Sequence, residues 1–369
     1  MDAALPNLQR LASRGHWGIK CGLDNPRALL EALGHPERTF PAVLVAGTNG
    51  KGSVGAFLAN ALRAAGFAVG WTTSPHLVSP AERIWVDGAC LSPECLDLLL
   101  GEAFEAEERA GIQATYFELM ITAALLAFRM TGVEIALVEV GMGGRWDATN
   151  TLDPILTVLT SVGLDHVRYL GDTREAIARE KLCTARTGRP LVLAPDLDPE
   201  WIGPLLECAP LLRPAPRLEA QDLAWDHSVV DGHRIGLAGA HQIENLATAL
   251  EALQALRDQG FPIPEEAQWK GLSQTRWPGR LWAVPGLEGL WADGAHNRDG
   301  ARVLARHARA CGFRPHLFFG VMGDKDIKGI AAQLRTLDPL SVTLIKGEDP
   351  RYASREALRD VWEIGRAHV

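Results

Sequence analysis

The 369-residue chain is 47% apolar, long enough to bury the cores of two domains. Its 45 acidic side chains outnumber 37 basic ones, for a net charge of -8, and no basic face argues for nucleic acid, so small molecules are the expected partners. The longest apolar stretch, LMITAALLAF, falls short of the ~18 residues a membrane span needs, nothing near the N-terminus reads as an export signal, and the six cysteines form no C-x-x-C pair. A soluble, cytoplasmic, monomeric protein is expected.

In chain order, the first strong element is the apolar run AVLVAG at 42–47, followed by the glycine loop GTNGKGS and a helix on which Val54, Phe57, Leu58, Ala61, Leu62 and Ala65 recur at helical spacing. EIALVEVG (134–141), ILTVLTSVG (155–163) and PLVLAP (190–195) are apolar on consecutive positions, as strands covered on both faces are. A helix begins near His241 and carries Ile243, Leu246, Leu250, Leu253 and Leu256 on one stripe. The alternation predicts an α/β protein built from βαβ units on a parallel sheet.

The Pro-, Gly- and Trp-rich stretch 260–282 reads as a domain connection with its boundary near residue 275. This predicts a P-loop parallel-sheet ATPase domain over 1–275, followed by a smaller Rossmann-like α/β domain over 276–369. In the second domain, strands are expected at GLWADGAHN, HLFFGVMGDKD and SVTLIKG, and helices at 298–311 and near 328–336. The last six residues, IGRAHV, are read as non-native, since a sequencing adapter translated in one frame gives the same peptide; the second domain is then expected to be C-terminally truncated.

Where GTNGKGS joins strand to helix, backbone N–H groups and the helix dipole converge on one point and favour an anion. Lys51 adds a charge for phosphate oxygens and Ser53 a hydroxyl for nucleotide-bound Mg²⁺. The loop departs from G-x-x-x-x-G-K-[ST], with Gly47 and Gly50 separated by two residues and Gly52 directly after the lysine. Glu139 near the end of a neighbouring strand supplies a carboxylate, with Asp147 and Asn150 in the loop beyond. Asp165 and His166 fall at the same rim if the strands are parallel, although Mg²⁺ prefers oxygen to imidazole. By pattern alone, Lys181 is any lysine on a charged helix.

AGTNGKGS, TTSPHL, EVGMGGRWDATN, LDHVRYLG with AREK, GAHQIEN, WPGR, DGAHN and VMGDKD, in this order, resemble the folylpolyglutamate synthase and dihydrofolate synthase family, bacterial FolC type, of the Mur ligase superfamily. The resemblance covers nearly the whole chain. It implies an ATP-dependent amide ligase in which a pterin acid attacks the γ-phosphate to give an acyl phosphate, which the amino group of L-glutamate then opens. It also implies closure of two domains about WPGR, keeping water from that intermediate. The nucleotide would be held by Asn49, Gly50, Lys51, Gly52 and Ser53 with Asn245, Arg280, Asp293 and His296; Mg²⁺ would sit among Ser74, Glu139 and His166. Lys51, Lys181 and His166 would be the catalytic residues, and Lys181 matches the family's carbamylated lysine, able to hold a second Mg²⁺.

For dihydropteroate or a tetrahydrofolate, the resemblance points to Gly22, Leu23, Asp24 and Asn25, to Thr115, Tyr116, Phe117 and Glu118, and to Trp146, Asp147 and Ala148. Aromatic rings would stack on the pterin while Glu118 or Asp147 accepts its N–H groups. The glutamate co-substrate is assigned to GDKD or DPRYAS without choosing between them, and Trp146 and Gly294 depart from the family's pattern. Two rival readings are another Mur-type amino-acid ligase, which only about forty residues before the loop argue against, and a nucleotide-binding module without catalysis.

Overall fold

The computed structural model describes residues 5–15, 22–347, 349 and 351–362, so the expectation about residues 364–369 lies outside the described residues. The chain forms two compact units, one comprising Met1–Leu218 and Glu244–Trp277, the other Glu219–Ile243 and Pro278–Val369. The sequence placed one boundary near residue 275; the chain passes between units after 218, 243 and 277.

The first unit is built on eight strands: β1 (Ala42–Ala46), β2 (Val69–Thr72), β3 (Ile84–Val86), β4 (Ala89–Cys90), β5 (Ile135–Glu139), β6 (Leu156–Leu159), β7 (Pro190–Leu193) and β8 (Leu211–Pro214). Their order is β4-β3-β2-β5-β1-β6-β7-β8. From β2 through β8 every neighbouring pair is parallel, and β3 and β4 add an antiparallel edge. That edge is a hairpin closed by Asp87-Gly88, both at positive φ (48° and 88°), the dipeptide such a turn favours.

β1, β5 and β6 are buried along their whole length. Consecutive apolar residues suit them because helices cover both faces. The all-round apolar helix Tyr116–Thr131 packs against Pro93–Ala110, so LMITAALLAF is a core helix. It begins in a capping box: Glu118 N donates to Thr115 Oγ1 at 3.2 Å and Thr115 N to Glu118 Oε2 at 2.6 Å. Helix Lys51–Ala64 packs closely on Glu265–Gln274, where Gly271 meets the Asn60 carbonyl. The register sets Val45 beside Glu139 and Ala46 beside Leu159, bringing the carboxyl ends of β1, β5 and β6 to one rim. Ligands of open parallel sheets bind at such a rim.

In the second unit, His316–Phe319 and Ser341–Leu344 pair in parallel through the crossover helix Ile327–Arg335. Helices Arg298–Ala310 and Arg355–Trp362 share their core, which includes Ala301, Phe319, Ile330, Leu358 and Trp362. The strand expected at GLWADGAHN is the short Trp291–Ala292, which pairs antiparallel with Trp282–Ala283, because Gly286 and Gly289, both at φ 78°, turn the chain back. A three-stranded antiparallel sheet over Asp222–Leu223, Ser228–Val230 and His233–Ile235 belongs to the same unit.

Candidate active site

The glycine loop leaves β1 at Ala46 and enters its helix at Lys51. Gly47 (φ 152°) and Gly50 (φ 88°) hold conformations a side chain would strain, and a Cβ on them would strike Thr160 Oγ1 and Asn245 Oδ1 respectively. Thr160 Oγ1 and Ser161 Oγ donate to the Asn49 carbonyl at 2.6 and 2.9 Å, and Asn49 N donates to Ser161 Oγ at 2.8 Å. Thr48 Oγ1 accepts from Gly163 N at 3.0 Å. The loop following β6 therefore pins the glycine loop from the side. Sequence reasoning overlooked Thr160 and Ser161, although hydroxyls directly after an apolar strand were a usable signal.

Gly52, the departure noted in the motif, has a packing reason. A Cβ there would lie 2.7 Å from Trp277 Nε1, and one on Gly55 would lie 2.7 Å from Trp71 Nε1. The indoles of Trp71 and Trp277 have centroids 4.6 Å apart, and Trp85 lies 5.8 Å from Trp71 and 6.1 Å from Trp277. Only bare backbone lets the first helical turn approach this cluster.

Lys51 Nζ donates to the Gly47 carbonyl at 3.1 Å and the Thr48 carbonyl at 3.3 Å, and lies 3.9 Å from Glu139 Oε1. Lys181 Nζ reaches the same Gly47 oxygen at 2.9 Å. The helix Arg174–Leu182 buries this lysine to 5% exposure, so it is no ordinary surface lysine. Burial, and after it the charge of Lys51, lower the Lys181 pKa to about 7, with Asp165 and Asp147 opposing. The helix is held in place by the GGR turn: Arg145 N donates to the Glu180 carbonyl at 3.0 Å, the Arg145 guanidinium bridges Glu180 and Glu207, and a Cβ on Gly144 would lie 2.9 Å from the Lys181 carbonyl oxygen.

Glu139 and Ser53 are buried, and Ser74, joined to Pro75 by a cis peptide, is half-buried. His166 stands at the N-cap of the short helix Val167–Leu170 at φ 50°, and its backbone N–H donates to Asp165 Oδ1 at 2.9 Å. Among the described residues no three His, Cys, Asp or Glu side chains gather into a metal-binding group. Hydroxyl and carboxylate oxygens do suit Mg²⁺, which commonly takes few protein ligands and completes its shell with phosphate and water.

Asn25 Nδ2 donates to the Gln113 carbonyl at 2.9 Å, tying the helix start at Asp24, preceded by Gly22 (φ 140°) and buried Leu23, to the segment before Thr115. Phe117 lies against Gly141. Trp146 is 52% exposed, while Asp147 and Ala148 are buried. Asp147 Oδ2 accepts from Met142 N and Oδ1 from Thr149 N and Oγ1, so this carboxylate already orders its own loop, as Glu118 already serves its capping box.

Asn245 lies beside Gly50 in the first unit, whereas Arg280, Asp293 and His296 belong to the second. Asp293 accepts from Leu281 N and Ala295 N, both at 2.9 Å, and burial raises its pKa against the opposing charge of Arg280. Arg280 Nη1 is 2.5 Å from where a Gly294 Cβ would stand, which explains that glycine. His296 Nδ1 is 2.8 Å from the Gly294 carbonyl. Of the segments considered for glutamate, Asp326 caps the helix Ile327–Arg335 and Asp349 pairs with Arg351.

A glycine loop closing the central parallel strand, with its lysine beside a buried carboxylate, defines a Mur-type nucleotide site, and residues 45–183 match the Mur ligase middle domain. The dihydrofolate synthase/folylpolyglutamate synthase of Bacillus subtilis is 34% identical over 374 residues, covering 94% of this chain and 86% of that protein. E. coli FolC in complex with DHPP and ADP superposes with a TM-score of 0.84 at 31% identity, covering 98% of this chain and 88% of that one. A bifunctional folylpolyglutamate synthase/dihydrofolate synthase with Mn, AMPPNP and L-glutamate bound gives 0.82 at 32% identity, covering 96% and 87%. The chain belongs to the dihydrofolate synthase/folylpolyglutamate synthase family. It is an ATP-dependent ligase acting on small molecules. Among the described residues no helix is long and apolar enough to cross a membrane.

Proposed function

We propose that the chain joins L-glutamate to dihydropteroate and to the γ-carboxyl of reduced folates, each amide formed through an acyl phosphate. The observation carrying this reading is the convergence of Lys51 and Lys181 on one carbonyl oxygen of the glycine loop, next to buried Glu139. A carboxylate oxygen attacks the γ-phosphorus and ADP leaves; the glutamate amine then adds to the acyl carbon, loses a proton, and expels phosphate. Asn49 to Ser53 cradle the phosphates, with Asn245, Arg280, Asp293 and His296 assigned to the nucleotide. Lys51 offsets the repulsion between carboxylate and phosphate.

Ser74, Glu139 and His166 are assigned to Mg²⁺, which when bound neutralises phosphoryl charge. Lys181 is assigned to carbamylation: its neutral amine adds to CO₂ and releases a proton, turning a cation into an anion. A second cation crowded onto the Gly47 oxygen supports this assignment, as does a pKa near 7 that leaves much of the amine neutral. The segments at 22–25, 115–118 and 146–148 are assigned to the pterin, and the protein is taken to act as a monomer, which sedimentation would check.

The test is ADP formation by the purified chain with Mg-ATP, glutamate and a panel of acceptors. Stimulation by dihydropteroate or tetrahydrofolate is expected. Stimulation by a UDP-sugar alone would identify a different Mur-type ligase, and none by any acceptor would leave a nucleotide-binding module.

A further inference from the structure

Arg83, at the start of β3, is 9% exposed. An arginine keeps its charge in a protein, and a buried charge without a counter-ion is costly. Yet among the described residues no carboxylate lies within 4.0 Å of it. Its Nε donates to His76 Nδ1 at 2.9 Å and its Cζ stands 5.2 Å from the Tyr116 ring centre. The two η nitrogens have no hydrogen-bond partner among the described residues. Burial lowers the Arg83 pKa, while Tyr116 and Glu139 act in the opposite direction, which places the guanidinium in the field of both. Glu139 in turn lies 3.9 Å from Lys51 Nζ. The guanidinium thus lies over Tyr116, an aromatic residue assigned to the pterin, and feels the charge of Glu139, the carboxylate beside the phosphate lysine.

We propose that Arg83 binds the carboxylate of the pterin acid, its two η nitrogens facing the oxygen pair that attacks ATP. The planar fork matches a carboxylate in bidentate fashion and fixes its direction. His76 holds the fork through Nε, which leaves both η groups for the substrate. A merely structural arginine would have its η groups satisfied by protein. The inference rests on the ligase reading and names the residue that receives the acid.

The experiment compares dihydropteroate with its carboxamide, which keeps the pterin and benzoyl rings but lacks the charge. The wild type is expected to bind the acid about tenfold or more tightly than the carboxamide, and Arg83→Gln to bind the two alike. In the same variant the KM for dihydropteroate rises about tenfold or more while that for ATP stays within about twofold. Arg83→Lys, which keeps the charge but loses the fork, recovers part of the discrimination. Equal weakening of acid and carboxamide overturns the inference, as does a rise confined to the KM for ATP, which would assign the guanidinium to a phosphate. If Arg83→Gln does not fold, undiminished discrimination by Arg83→Lys overturns it instead. A wild-type chain that turns over no folate acid overturns the ligase reading and this inference together; an active wild type whose Arg83→Gln variant still discriminates overturns this inference alone.

Discussion

Lys51 and Lys181 meet on a single backbone oxygen, an arrangement that two full positive charges would oppose unless one is discharged or anions surround them. Lys51→Ala is expected to cut turnover by about two to three orders of magnitude, since charge neutralisation at transferring phosphates is commonly a dominant contribution; ADP formation at saturating glutamate measures it. Lys181→Ala is expected to be nearly inactive and partly rescued by added small carboxylates, which occupy the place of a carbamate. Absence of rescue would count against the modification. His241, whose buried Nδ1 has no hydrogen-bond partner among the described residues, has its pKa lowered from 6.5 to about 3 by burial, with His307 and Arg280 adding to the shift. Its folded pKa lies below the unfolded value, so the stability it contributes is complete above pH 6.5 and is lost as pH falls towards 3. Melting curves over that window are expected to be less pH-dependent for His241→Gln. At this scale the glycines and Lys51 were legible because their chemistry is local. Arg83 was not, and Lys181 was picked out by resemblance alone, because both look like surface cations until distant segments bury them.

Each helix start and strand end sets one part of the site. The Thr115–Glu118 capping box fixes where the core helix Tyr116–Thr131 begins and so where Tyr116 and Phe117 project. Thr115→Ala is expected to destabilise the protein by about 1 kcal/mol, read by denaturant melts. Should the KM for dihydropteroate rise by much more than that stability change explains, Thr115 touches the pterin as well. The buried parallel strands were legible as apolar runs, since only strands covered on both faces are apolar at every position. β2, β3, β4 and β8 were not singled out: β3 and β4 are short, β2 includes Gly70 and Thr72, and β8 carries Arg213, which pairs with Glu251 and Asp258. The Asp87-Gly88 turn was a readable signal that went unused.

At the scale of the whole molecule, the chain enters the second unit for residues 219–243, returns, and leaves again at Pro278. No composition shift marks the first excursion: its short strands pair only with one another, and it is Trp225 that packs on Trp291, His307 and Phe313 far along the chain. Residue pattern carried the parallel sheet, a domain connection near residue 275 and a second α/β domain, but not the earlier passage through the second unit. Nucleotide binding acts on global stability: at about 100 times its dissociation constant, Mg-ATP is expected to add about 2.7 kcal/mol and raise the melting temperature by several degrees. Lys51→Ala is expected to abolish that rise; an undiminished rise would show that the nucleotide binds elsewhere.

Trp71, Trp85 and Trp277 crowd together beneath the first turn of the phosphate-loop helix, with an indole edge against Gly52. Indole emission responds to small changes in its surroundings, so this protein carries its own optical gauge of nucleotide occupancy. Titrating ADP while watching tryptophan fluorescence would then yield affinities without a label, and replacing Trp277 by phenylalanine would dim the gauge at the residue nearest the loop.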